Sequence, residues 1–250
     1  MEKAKTLSDK VVDWVETSGR ALELRAARVL AQHGAAVTTS FPYVDVHTPN
    51  AQREGDVLAD FPYVGFNASQ CLLRLVVECK HTPDKPWVGF YGETQGPSVP
   101  SLDSIAVFAH GSHVGIVEPG QDWIGRVPFG EPSASHIVTA LGKDEQNPAN
   151  NAVRQALSAA HSIKQRYLET QYDSVSNGPR GWIILACVVT TSPLFACRLG
   201  EEGSIEVDQV DRIDVWGHGP DGKPNRVFVL TEGELEAFGA GLASLVASQR

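Results

Sequence analysis

No stretch of this chain is apolar for long enough to cross a bilayer as a helix, which takes roughly 18 or more consecutive apolar residues. The longest apolar run, 182–189, is strand-sized. No apolar core follows the opening Met1-Glu2-Lys3-Ala4-Lys5, so neither a membrane association nor a secretory signal is expected. Cysteine is sparse: Cys71, Cys79, Cys187 and Cys197 form no CxxC pair and stand at no zinc spacing from a histidine. Lying in apolar, strand-like surroundings, they are expected to be reduced core residues of a cytoplasmic protein. His110 and His113 in "AHGSHVG" have HxxH spacing, but no acid or cysteine accompanies them and a glycine lies between, so no metal is assigned there. A phosphate-binding P-loop and a GxSxG nucleophile turn are both missing. Positive charge is short as well. Lysine and arginine number 21 against 30 aspartates and glutamates, a net charge of −9. That balance excludes a protein that coats nucleic acid by charge alone, yet leaves room for clustered carboxylates that bind a cation.

What is present is an ordinary globular composition, 42% hydrophobic and 20% charged over 250 residues, enough chain to bury a substantial core. Residues 8–33 read as helix, with Ser8 as N-cap, Gly34 as stop and Gly19 breaking it in two. Leu22, Ala26, Val29 and Leu30 recur at helical spacing and mark a buried stripe, with Glu23 at its edge. "AAVTTSFPYVDV" reads as a strand, "TPNAQREG" as a turn, and "DVLADF" and "CLLRLVVECK" as second and third strands of an antiparallel meander. Residues 81–149 are rich in proline and glycine and read as a loop-rich insertion carrying short strands such as "SIAVFAH" and "HVGIV". A long helix over 150–170 presents Val153, Ala156, Leu157, Ala160, Ile163 and Tyr167 on one face. "GWIILACVVTT" then reads as a buried strand. Three further strand stretches and a helix over 232–248 close the chain, read as one domain over 1–250.

The chemistry gathers at "LRLVVECK". Residues two apart in a strand face one side, so Glu78 and Lys80 are presented together where an apolar strand stops. Taken alone, the pair reads equally as a strand-end ion pair worth about 0–1 kcal/mol. Three segments in order, "GRALELRAARVLAQHG", "REGDVLAD" and "LRLVVECK", resemble the PD-(D/E)XK, or restriction-endonuclease-like, nuclease superfamily. The motifs cover roughly 18–82, and element order alone extends the likeness over about 150–192.

The resemblance implies an α/β (α+β) fold with an α-β-β-β-α-β core around a mixed central sheet, to which the insertion and the C-terminal strands and helix are added. Asp56 matches the acidic residue that opens the second core strand, with Gly55 where the family often has proline. Glu78 and Lys80 match the acid and lysine of the motif, and Glu23 the helix glutamate. The resemblance further implies Mg2+ or Mn2+ held by Asp56, Glu78 and the backbone carbonyl of Cys79, with Glu23 fixing a water or second metal. Hard divalent cations take such oxygen donors. Lys80 would orient the attacking water and stabilise charge on the phosphate. Gln155, on the long helix, is a candidate substrate contact, and a polar helix position reads equally well. Arg154, Lys164 and Arg166 read by default as a solvated helix face, and Trp87 as packing on the sheet. The expected activity is metal-dependent hydrolysis of nucleic acid, DNA first. The alternative is a catalytically inactive nucleic-acid-binding or regulatory module of the same fold. A partner protein or a homo-oligomer could supply the missing positive surface.

Overall fold

The computed structural model describes residues 5–48, 51–66, 69–92, 106–108, 133–141, 147–170, 181–219, 222 and 224–247. Helix α1 (Leu7–Thr17) starts at a reciprocal cap. The Thr6 hydroxyl accepts from the Asp9 N–H at 3.2 Å, and the Thr6 N–H donates to the Asp9 carboxylate at 2.8 Å. The cap is therefore Thr6, two residues before the serine expected from sequence. Gly19, at φ 83°, breaks the helical stretch as expected, because a left-handed turn suits glycine. Helix α2 (Arg20–Gln32) follows and buries Leu22, Ala26 and Leu30.

Three strands then run as an antiparallel meander: β1 (Ala36–Val44), β2 (Gln52–Phe66) and β3 (Ser69–Lys80). The expected turn over 48–55 is shorter than its composition suggested. Gln52, Arg53, Glu54 and Gly55 already belong to β2 and pair with Val44, Tyr43, Pro42 and Phe41. After β4 (Trp87–Tyr91), β5 (Ala106–Phe108) and β6 (His136–Thr139), helix α3 (Pro148–Thr170) leads into β7 (Gly181–Thr190). The chain ends with β8 (Leu194–Leu199), β9 (Ile205–Val210), β10 (Arg212–His218), β11 (Pro224–Thr231) and helix α4 (Glu234–Ala247).

The result is a mixed α and β architecture with two sheets. The main sheet runs β1-β2-β3-β7-β11-β10, with β7 parallel to both β3 and β11, and β5 also pairs with β7. The second sheet runs β6-β4-β8-β9. "SIEVDQVDRIDVW" therefore divides at Asp211 between two sheets. The segment after Lys80 contributes strands to both, whereas "HVGIV", His110 and His113 lie outside the described residues. No helix among the described residues is long and apolar enough to cross a membrane.

Alternation along the strands divides the core. Val57, Ala59, Leu75, Val77, Leu185 and Cys187 face α2 and α4. Val76, Ile184, Ala186 and Val188 face α3 and the second sheet, where Trp87 is fully buried. Cys187 is a buried free thiol as expected, while Cys79 and Cys197 are only partly buried. One place breaks the alternation. Val37 packs on the α2 side, so regular alternation would send Phe41 and Tyr43 there too, yet both pack on the α3 side. The reversal coincides with Ser40, whose φ is 55°, a conformation L-residues seldom adopt. Phe41 then lies over Gly55, where an added Cβ would sit 2.3 Å from the ring.

Gly55→Ala is expected to destabilise the protein by about 1–3 kcal/mol, the usual cost of overpacking, read as a lower urea midpoint with an unchanged slope. An unchanged midpoint would show that Phe41 moves aside freely.

Candidate functional site

β2 and β3 bring the two motif acids together. Val57 with Val77 is the last registered pair of the antiparallel ladder, and Asp56 and Glu78 are the next residues beyond it, where the Cys79 N–H bonds to the Asp56 carboxylate. Glu78 falls on the α3 side, since Val77 and Cys79 on either side of it pack against the α2-side core. Glu78 is 7% exposed, an unusual position for a carboxylate. Asp56 sits across from the left-handed Ser40, since Thr39 pairs with Val57 and Phe41 with Gly55. Backbone strain of that kind tends to gather at functional sites.

Each carboxylate is anchored by one oxygen. Asp56 Oδ2 accepts from the Cys79 N–H at 2.6 Å, and Glu78 Oε1 accepts from Lys80 Nζ at 2.6 Å. Burial pushes the Asp56 carboxyl up to about 7, with the Glu78 charge adding to the rise and the Cys79 N–H opposing it. Burial also raises Glu78, against the pull of Lys80. Like charges close together in a low-dielectric setting disfavour joint ionisation, which adds to the burial that raises Asp56. The Tyr43 hydroxyl is pushed up to about 12, chiefly by burial and then by the Glu78 charge.

Cys79 alternates away from its neighbours and packs against the α2-side core, and burial holds its thiol well above the ordinary range. Glu23 approaches from α2 on the opposite face of the sheet. Its carboxylate accepts from Arg20 Nη1 at 2.7 Å, and the same nitrogen lies 3.6 Å from Glu54. The Glu23 charge nevertheless contributes to the upward shifts of both Asp56 and Glu78. Glu23 thus borders the pair through Arg20 without a hydrogen bond to it. Gln155 is partly buried on α3, with Oε1 buried and lacking a hydrogen-bond partner among the described residues. No hydrogen bond among the described residues joins it to the carboxylates. Of the helix cations assigned by default to a solvated face, Lys164 departs from that reading, being only 8% exposed. Arg166 donates to the Pro42 carbonyl at 3.2 Å.

The chain beyond Lys80 is fastened by hydroxyls that the strand pattern did not single out. The Thr190 hydroxyl and the Thr191 N–H both donate to the Lys80 carbonyl, at 3.0 and 3.2 Å. The Ser192 hydroxyl donates to the Thr82 carbonyl at 2.8 Å, and the Thr82 N–H donates to the Thr191 hydroxyl at 3.1 Å. Thr190 and Ser192 are buried, and the polar triplet ending an apolar strand was their sequence signal. Arg53 was also unmarked. It lies three residues before Asp56, and its field favours the ionised form of Glu78.

As a donor set the pair suits a hard divalent cation. Asp56 and Glu78 each keep one oxygen without a hydrogen bond among the described residues, and Mg2+ is commonly held by one or two carboxylates with water completing its shell. Among the described residues no cluster of three or more histidine, cysteine or acidic side chains stands ready to hold a metal. The protein side chains would thus supply a minority of the ligands. No family model, curated protein or solved structure matches the chain.

The raised carboxyls set a pH dependence. A group whose folded pKa lies above its unfolded value contributes stability at low pH that is lost as pH rises through the folded pKa. Asp56→Asn removes that loss. Without divalent cations, the variant should gain on the wild type as pH climbs from about 4, levelling off above about 7, with a final gain on the order of 2–4 kcal/mol. Urea denaturation across that range checks it, and a difference independent of pH would contradict the buried pair.

Proposed function

We propose that the protein is a metal-dependent nuclease of the restriction-endonuclease-like type, hydrolysing phosphodiester bonds of DNA. The observation that carries this reading is the pair of raised carboxyls, Asp56 and Glu78, brought together near the end of β3, with the Cys79 N–H bound to one and Lys80 to the other. Element order supports it: helix α2, the meander β1-β2-β3, helix α3, then β7 parallel to β3.

A cation bound between the carboxylates would polarise the scissile phosphate and make a bound water more acidic. The protein's own part is placement. The Cys79 N–H fixes one oxygen of Asp56, so its other oxygen is aimed by the backbone. Lys80 is held by Glu78 at the same end of β3 and offers its ammonium to charge developing on the phosphate oxygens. The Thr190 hydroxyl holds the carbonyl of that lysine, and the Ser192 hydroxyl holds the Thr82 carbonyl two residues on. The water oxygen would form the new bond to phosphorus, giving up a proton to solvent, as the ester bond to the departing sugar oxygen breaks and that oxygen takes a proton from solvent. Glu23 serves at the border of the site, reinforcing its negative field from α2.

A catalytically inactive module of the same fold is the second reading. It is favoured by the way the site satisfies itself, with Asp56 on the Cys79 N–H and Glu78 on Lys80.

Plasmid and oligonucleotide substrates, incubated with Mg2+ or Mn2+, should be cut by the wild type and spared when chelator is added. Lys80→Ala should lower the rate by about 10²–10³, the usual loss for one transition-state donor. Binding without cutting in every metal would select the inactive module. Cleavage that is equal in Lys80→Ala and indifferent to chelator would sink the proposal.

A further inference from the structure

Three arginines among the described residues grip a single carboxylate with both Nε and Nη2. Arg74 grips Asp60 with Nε and Nη2, each at 2.5 Å from a different oxygen. Arg212 grips Asp214 with Nε and Nη2 at 2.7 and 2.9 Å. Arg25 uses the same two nitrogens on Glu232. This two-pronged geometry is the strongest arrangement available to a guanidinium and a carboxylate. Arg53 differs. Only its Nε bonds to Asp45, at 2.5 Å, through Oδ2.

The cause lies on the acid. The other oxygen of Asp45 accepts from the His47 N–H at 3.0 Å and from the Ser158 hydroxyl of α3 at 3.3 Å. Asp45 is itself buried, so its orientation is fixed from both sides. It therefore holds the arginine by one edge, and both Nη groups are left without a hydrogen bond among the described residues. The side chain is 44% exposed, so that outer edge is open. Its place is fixed too, because Arg53 pairs across the ladder with Tyr43 and precedes Asp56 on the same strand. The nearby cations are otherwise engaged, Lys80 by Glu78 and Arg20 by Glu23.

We infer that Arg53 is a preset phosphate fork: held by Asp45, it binds a phosphate of the DNA backbone beside the Asp56–Glu78 pair. This inference rests on the nuclease reading and adds to it a residue that tethers the polyanion against two carboxylates that would otherwise repel it. A free guanidinium edge matches two phosphate oxygens, and pre-orientation by Asp45 lowers the entropy lost on binding. The phosphate contact positions the strand and carries no sequence information.

The test measures binding apart from cleavage. A fluorescein-labelled DNA duplex is titrated, in Mg2+, with Lys80→Ala and with the same protein also carrying Arg53→Gln or Arg53→Lys, at several salt concentrations. Arg53→Gln should weaken binding about tenfold and reduce the slope of log K against log salt by about 0.9, the share of one phosphate contact. Arg53→Lys keeps the charge without the fork, so it should preserve the slope while still weakening binding several-fold. Thermal melts followed by circular dichroism confirm that each variant is folded, and lost folding alone would not shift the salt slope of the folded fraction. If Lys80→Ala binds DNA and Arg53→Gln matches it in affinity and slope, the fork is wrong and the nuclease reading stands. If the wild type neither binds nor cuts DNA, the nuclease reading falls and the fork with it.

Discussion

Two carboxylates, those of Asp56 and Glu78, come together just beyond the last registered pair of β2 and β3, where the Cys79 N–H bonds to the Asp56 carboxylate. Val57 pairs with Val77 in the apolar interior, and Asp56 and Glu78 are the next residues outward on the two strands. A one-residue slip would turn every side chain of a strand to the other face. The same register that buries Val57, Ala59, Leu75 and Val77 thus fixes the polar pair. Burial makes their joint ionisation costly, and Asp56 is pushed up to about 7 as a result. The core thereby imposes an electrostatic cost that a bound cation or proton relieves.

The surrounding elements resist relaxation of that pair. β3 is flanked by β2 and β7, and its carbonyl at Lys80 is fastened to Thr190 and Thr191. On the other side, Ser40 reverses the face of β1, bringing Phe41 over Gly55 and Tyr43 into the α3-side core beside the site. Such rigidity suits chemistry that depends on positioning, since supporting contacts hold reacting groups within productive geometry.

Much of this could be read from the sequence because it follows from period and punctuation. Leu22, Ala26 and Leu30 disclosed the inner face of α2, and Gly19 its start. The apolar run before Glu78 disclosed a strand aimed at the core, and the "GD" at 55–56 placed its partner acid. What could not be read depends on contacts distant in sequence. Gly55 stood for a family proline by its position, but its packing reason is the Phe41 ring, reached only because Ser40 adopts a left-handed backbone. Arg53 looked like part of a turn, because polar residues and glycine surround it, until the ladder with Tyr43 drew it into β2. Its tie to Asp45 depends on Ser158, more than a hundred residues away. The tie of Glu23 to Arg20, by contrast, lies within one helical turn, a spacing that the sequence does show.

The central claim is that Asp56 and Glu78 form one cation site. Calorimetric titration of the metal-free protein with Mn2+ tests it without requiring any substrate. The account predicts saturable binding by the wild type, accompanied by proton release near neutral pH as the raised carboxyls ionise, and loss of that heat in Asp56→Ala. Absence of binding by the wild type, or an identical isotherm from the variant, would contradict it.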